Sequence, residues 1–343
     1  MLSETIARLV DGQTIDRDEA YRAMTAIMTG EATDAQIGAF LVALRMRGET
    51  AEQISGFARA MRESSLRVHS AHPDVVDTCG TGGDSLDTFN ISTGAALVTA
   101  AAGVPVAKHG NRSVSSRCGS ADVLSELGVR IDLEPAEVEK CLDEVGIGFL
   151  FAPTHHPAMK YAIGPRRELG LRTVFNILGP LTNPAGATRQ VVGVFAPELT
   201  QLMAETLADL QSARAMVVHG LDGLDELSTL GPTQVSELRD GEVITYTVEP
   251  EDVGLRRAAA AEIAGGEPDC SAQMLIAALA GDDAARTDIV VLNAAAAIYI
   301  GGAAEDLTAG VAKARAAVED GAAIAKLDEL RETTQRLAAA REG

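Results

Sequence analysis

The stretch Asp77-Thr78-Cys79-Gly80-Thr81-Gly82-Gly83-Asp84, continuing through Thr88 into Asn90-Ile91-Ser92-Thr93, decides how the chain folds. A short apolar run ends at Cys79, glycines follow, and a helical pattern starts near Ser92. Glycine lets the main chain come close to a ligand, and unpaired amides at a helix start attract anions. The loop is not a dinucleotide fingerprint, because the third glycine of G-x-G-x-x-G falls on Ser85. It also lacks the Gly-Lys-Ser/Thr of a Walker A loop. Phosphate binding is one reading; an ordinary strand-to-helix turn is the other.

Outward from this loop, short apolar runs alternate with helical stretches. Val75–Cys79, Val104–Ala107, Ile147–Phe151, Val191–Phe195 and Ala215–His219 read as strands. Ile91–Ala102, Ala121–Leu127 and a segment near 198–211 read as helices. Such alternation predicts a largely parallel sheet covered by helices. Thr233–Val248 departs from it as a strand pair turned at Asp240-Gly241, and residues 268–340 return to Ala-rich helix. The first 65 residues are helical in pattern throughout. Asp16 with Glu19, Thr33 with Gln36, and Thr50 with Gln53 have capping-box spacing, while Gly30 and Gly48 stand where helices stop. Ile37, Leu41 and Leu44, like Ile54, Phe57 and Met61, recur at helical spacing. The expected fold class is α/β: a small N-terminal all-helical domain, and a larger α/β domain with a mostly parallel central sheet flanked by helices. The expected boundary separates residues 1–70 from 71–343, with about 165–190 contributing to the helical part. Three or four short amphipathic helices bury little alone, so packing on the main domain and a dimer contact are both expected.

The chain has 343 residues, 46% of them hydrophobic, which is enough for two domains with real cores. Its 49 acidic against 29 basic residues leave a net charge of −20, which argues against a nucleic-acid or anionic-membrane binder. Cys79, Cys118, Cys141 and Cys270 form no CxxC pair and read as reduced thiols, so a cytoplasmic location is expected. The N-terminus has no apolar signal segment. The apolar stretches near 93–107 and 289–302 fall short of the roughly 20 residues that span a bilayer.

Three further clusters carry chemistry. Lys108-His109-Gly110-Asn111-Arg112-Ser113-Val114-Ser115-Ser116 follows a second strand, at the end where open α/β sheets bind ligands. A solvated basic loop is the plain alternative, but charge placement weighs against it. Thr88 through Ala121 holds no acid where composition predicts about five, and Val145 through Pro197 holds only Glu168 where about seven or eight are expected. Lys108, Arg112, Arg117, Lys160, Arg166, Arg167, Arg172 and Arg189 lie in those windows. If both windows face one cleft, its field favours an anionic ligand. The next cluster, Gly220-Leu221-Asp222-Gly223-Leu224-Asp225-Glu226-Leu227-Ser228, supplies adjacent carboxylates, an oxygen donor set suited to magnesium or simply an acidic surface turn. The last combines His155-His156-Pro157, Arg166 and Asn176 to Pro184. No HExxH accompanies the histidines, so His156 reads as a wall or hydrogen-bond donor rather than a metal ligand. Arg166 is suited to a carboxylate, or to a surface ion pair near Glu168. No GxSxG elbow is present.

Together these stretches resemble the anthranilate phosphoribosyltransferase family of tryptophan biosynthesis. The resemblance runs through GTGGD with NIST, KHGNRSVSS with CGSAD, HHPAMK, RTVFNILGPLTNP, GLDELS and LNAAAAIYI, in order and over nearly the whole chain. It implies a helical domain joined to an α/β domain, a homodimer formed through the helical domains, and transfer of phosphoribosyl from phosphoribosyl pyrophosphate to anthranilate with Mg2+. Gly80, Gly83, Asp84, Thr88, Asn90, Ile91, Ser92, Thr93, the run Lys108 to Ser116, and Ser120 then become the phosphoribosyl pyrophosphate site. Ser92, Asp225 and Glu226 become magnesium contacts; Gly80, Asn111 and Arg166 the anthranilate site; His109, His156 and Pro180 the aromatic substrate's path. The resemblance assigns no catalytic base. Ser85-Leu86-Asp87 is a less usual filling of the glycine loop.

Two other readings compete. A pyrimidine nucleoside phosphorylase shares the phosphate loop, but its chemistry needs no magnesium-bound pyrophosphate, against Asp225-Glu226 and Arg166. A non-catalytic nucleic-acid-binding relative is opposed by the charge of −20 and only 11 aromatic residues.

Overall fold

The computed structural model describes residues 2–83, 86–113 and 117–342. Helices α1 (Leu2–Val10), α2 (Arg17–Met28), α3 (Asp34–Arg47) and α4 (Ala51–Glu63) form the N-terminal bundle. All three expected capping boxes are present: Asp16, Thr33 and Thr50 accept from the amides of Glu19, Gln36 and Gln53, whose side chains return the bond. Phe40 and Phe57 meet edge to face at 5.8 Å in its fully buried centre.

Among the described residues, seven strands form one sheet: β1 (Val76–Asp77), β2 (Val106–Gly110), β3 (Ile147–Phe151), β4 (Arg189–Gly193), β5 (Arg214–Gly220), β6 (Thr233–Arg239) and β7 (Glu242–Val248). Their order is β3-β2-β1-β4-β5-β6-β7, parallel through β5 and antiparallel across β6 and β7. Asp240 and Gly241 both take positive φ, 55° and 82°, which is what a two-residue turn between twisted strands requires. From β1 the chain winds one way to β2 and β3, and the other way to β4 and β5. The switch point therefore lies between β1 and β4, at whose carboxyl ends ligands bind in such sheets.

Strand residues alternate between two cores. Val191, Met216 and Val218 join a core with α5 (Ile91–Ala101) and the Ala-rich C-terminal helices. Val192, Val194, Ala215 and Val217 join another with the N-terminal bundle and helix Glu198–Asp209. Ala162, Val174, Phe175, Ile177, Leu178 and Leu181 belong to this second core, so the segment after β3 packs with the bundle. The first strand is shorter than the sequence suggests. Beyond Asp77 the chain leaves the ladder, because the Asp77 side chain itself accepts the His109 amide at 3.1 Å. No helix among the described residues is long and apolar enough to cross a membrane.

Candidate active site

The glycine loop, the loop after β4 and the acidic loop after β5 meet through bare main chain. Thr81 N donates to Gly193 O at 2.8 Å. A Cβ on Gly80 would sit 3.0 Å from that same oxygen, and one on Gly193 would sit 1.5 Å from the Asp225 carbonyl oxygen. Only glycine allows this stacking across the switch point. Asp225 and Glu226 are half-buried, and their field reaches the Cys79 thiol. Burial chiefly pushes that thiol up, Asp77, Asp225 and Glu226 push it further, and Lys108 opposes them. Leu227 exchanges bonds in both directions with the Asn293 side chain on helix Ala284–Ile300, which fixes the acidic loop. Half-buried hard oxygen donors fit a magnesium ion with its waters.

Lys108 is buried, and its ammonium reaches Thr78 O, Thr78 Oγ1 and Ser92 Oγ, each at 3.3 Å. It joins β2 to the start of α5. Asn90 caps that helix with no side-chain bond; its Nδ2 donates to Cys118 O at 3.0 Å instead, and its buried Oδ1 has no partner among the described residues. Ile91 and Thr93 are buried in the first turn of α5. Thr88 forms an isolated bridge with Ala264, and Asp87, at φ 50°, pairs with Arg117 at 2.7 Å. Asn111 O accepts from Ala121 N and Ser120 Oγ, tying the end of β2 to α6 (Ser120–Glu126). Gly110 is packed against Ser120 and Phe149. Gly83 O accepts from Arg172 at 2.6 Å. Asp84, Val114, Ser115 and Ser116, all expected phosphate-site residues, lie outside the described residues.

His109 and His156 lie ring to ring at 5.1 Å, tilted by 52°. His109 Nδ1 is 3.1 Å from Gly179 O, beside buried Pro180. Neither Nε2 has a partner among the described residues. Burial first, and each histidine's neighbours second, hold His109 well below its ordinary pKa and bring His156 down to about 4. Two neutral rings thus form a wall. The Arg166 guanidinium lies 5.0 Å from the Phe175 ring, has no carboxylate partner among the described residues, and is lowered in pKa by burial. That favours a role as carboxylate receptor over a surface pair with Glu168.

The α/β part, residues 72–324, matches the family model described as glycosyl transferase family, a/b domain, and residues 3–65 match its helical bundle domain. The anthranilate phosphoribosyltransferase of Moorella thermoacetica is 55% identical, over 96% of this chain and 97% of its own. That of Pelotomaculum thermopropionicum is 54% identical, over 98% of both. The chain belongs to the anthranilate phosphoribosyltransferase family. The crystal structure of the Thermus thermophilus anthranilate phosphoribosyltransferase superposes with a TM-score of 0.91 at 43% identity, covering 96% of this chain and 99% of the other. The Saccharomyces cerevisiae anthranilate phosphoribosyltransferase in complex with PRPP and Mg superposes at 0.89 with 27% identity, over 98% of each chain.

Against this family background, one expected cation falls outside the site. Arg189 stands at the opposite end of β4, where it bonds Ile300 O at 3.0 Å and pairs with Asp74. Its sequence window clears acids for the cleft, but strand direction carries this one residue away. Gly193, Asp122, Arg172 and Asp77 have no role of their own in the sequence reading. Asp122 Oδ2 accepts from both Ser113 N and Gly119 N at 3.0 Å, and Oδ1 pairs with Arg112 at 2.7 Å. Its signal was available: it is the first acid after the acid-free window. Gly193 had a signal too, since a glycine inside a strand pattern marks close main-chain approach.

Proposed function

We propose that this protein transfers the 5-phosphoribosyl group of phosphoribosyl pyrophosphate to the amine of anthranilate, releasing pyrophosphate, as a step of tryptophan biosynthesis. The observation that carries this reading is the Gly80–Gly193–Asp225 stack, which sets an anion loop beside a carboxylate pair at the switch point. The amides around Gly80 to Gly83 and the first turn of α5, with Lys108, gather the sugar's phosphates. Asp225, Glu226 and Ser92 would hold magnesium, which when bound neutralises the departing pyrophosphate. Arg166 and Asn111 orient anthranilate, with its carboxylate on the guanidinium, while His109, His156 and Pro180 line its path. The aromatic amine is neutral at pH 7 and attacks the anomeric carbon as the pyrophosphate bond breaks, so positioning supplies much of the acceleration. The 4-fluoroanthranilate complex of the yeast enzyme, with a TM-score of 0.87 and 26% identity over 98% of each chain, supports this acceptor.

In the same reading the protein is a cytoplasmic homodimer joined through its helical domain, with the division near residue 70 and residues 165–190 packed on the bundle. Purified protein is expected to consume anthranilate only when phosphoribosyl pyrophosphate and magnesium are both supplied. Anthranilate left unchanged with both present overturns the assignment. Asp225→Asn combined with Glu226→Gln is expected to weaken the magnesium response while the fold survives, read as a shifted metal titration of the rate.

A further inference from the structure

Three laterally adjacent strands of the sheet carry polar groups aimed at one turn. On β2, Ala107 O accepts from Asn183 Nδ2 at 2.8 Å. On β1, Asp77 Oδ2 accepts from that same nitrogen at 2.8 Å. On β4, Gln190, in register with Asp77, donates from Nε2 to Pro180 O at 2.7 Å. Asp77 and Gln190 are fully buried, where an unused polar group is costly. The other Asp77 oxygen accepts from His109 N at 3.1 Å, and His109 Nδ1 closes the circuit on Gly179 O at 3.1 Å.

A competing use of the cluster is cation binding, because donor atoms of Asp77, Cys79 and His109 lie within 4.8 Å of one another. Both Asp77 oxygens already accept N–H groups, and the Lys108 ammonium adds positive charge beside them. The cluster is better suited to holding protein than to holding a metal.

We infer that Asp77, acting through Asn183 and His109, is a positioning residue for the acceptor side of the site: with Gln190 beside it, which holds Pro180 O separately, it locks the Gly179–Asn183 turn and His109 to the sheet. The inference rests on the proposed placing of Pro180 and the His109 ring on the anthranilate path. The phosphate-side contacts of Lys108 with Thr78 and Ser92 do not pass through this clamp. Its loss therefore acts unequally on the two substrates.

The test is steady-state kinetics of Asp77→Asn and Asn183→Ala with each substrate varied in turn. Losing hydrogen bonds to a charged group is expected to raise the anthranilate KM about tenfold or more. The phosphoribosyl pyrophosphate KM is expected to change less than about threefold, a split that general destabilisation does not produce. Asn183→Ala leaves Asp77 and the sheet intact, so it carries the test if Asp77→Asn fails to fold. Equal rises in both KM values, or no change in either, overturn the clamp. A wild-type protein inactive on anthranilate instead overturns the proposed function and is recognised before any variant is compared.

Discussion

In the proposed reading, Arg166 and the two tilted histidines, His109 and His156, divide recognition of the acceptor between them. The half-buried Arg166 guanidinium lies over Phe175 with no carboxylate partner among the described residues, which suits it to an anionic group in that reading. Arg166→Ala is expected to raise the anthranilate KM most, since a charge-assisted hydrogen bond contributes about 1.5–3 kcal/mol. A rise confined to the phosphoribosyl pyrophosphate KM would mean that the two subsites are exchanged. The histidines make a pH prediction. His156 titrates near 6.5 when unfolded but only at about 4 when folded, so the unfolded chain takes up its proton first as pH falls. Stability therefore declines from about pH 6.5 down to about pH 4, at about 1.4 kcal/mol per pH unit for each such group. His109 and His155 are depressed as well and act in the same direction. Asp77 opposes them: burial raises it to about 6, so the folded state keeps its proton from about 6 down to the ordinary 3.8 and gains stability as pH falls there. One carboxyl offsets one of three histidines. Thermal unfolding is expected to show a falling midpoint between pH 6.5 and 4, and a shallower fall in His156→Phe.

At the scale of elements, the loops after β1, β4 and β5 work as one piece because glycine main chain separates them. A methyl group at 193 would overlap the Asp225 carbonyl and drive the acidic loop off β4. Gly193→Ala is expected to cost about 1–3 kcal/mol in denaturant unfolding, the usual cost of overpacking, and to weaken the magnesium response more than Arg166→Ala does. A variant with wild-type metal titration would show that the acidic loop is placed by Asn293 instead. These elements also show what the sequence could tell. The three capping boxes and the Asp240-Gly241 turn were legible because each is a local contest settled within four residues. The glycine loop and the acidic pair stood out in the sequence by residue type and spacing, and the structure brings them together at the switch point. Asp77, Asn183 and Gln190 did not stand out, because their meaning lies in contacts across 106 and 10 positions of chain. Arg189 misled for the same reason: a strand's two ends face opposite ways, and a charge count along the chain does not record which end a residue occupies.

On the scale of the whole molecule, the helical domain reaches the site through a relay and also offers an outer face of its own. Arg45 on α3 donates to Arg172 O at 2.6 Å, and Arg172 in turn stacks on Phe195 at 4.3 Å and holds Gly83 O. The bundle is thus coupled to the glycine loop. The bundle and the helix packed on it also expose large apolar side chains: Val10 at 71% on α1, Met46 at 83% on α3, and Ile163 at 54% on helix Lys160–Leu169, α1 and that helix both packing against α3. A lone exposed residue of this kind is ordinary, but several on packed helices mark an interaction face. A second copy of the chain suits that face, because charge alone would keep molecules of net −20 apart and apolar burial must supply the attraction. Sedimentation of the wild type is expected to give twice the 35.7 kDa chain mass. Val10→Glu with Met46→Glu places two carboxylates on the face and is expected to yield a folded monomer, since both side chains are already solvent-exposed. The site loops are joined to one another by contacts within the chain, so that monomer is expected to keep its magnesium requirement and both substrate KM values within about threefold. A wild type that sediments as a monomer removes the dimer from the reading, while a double variant that remains dimeric moves the contact to another face.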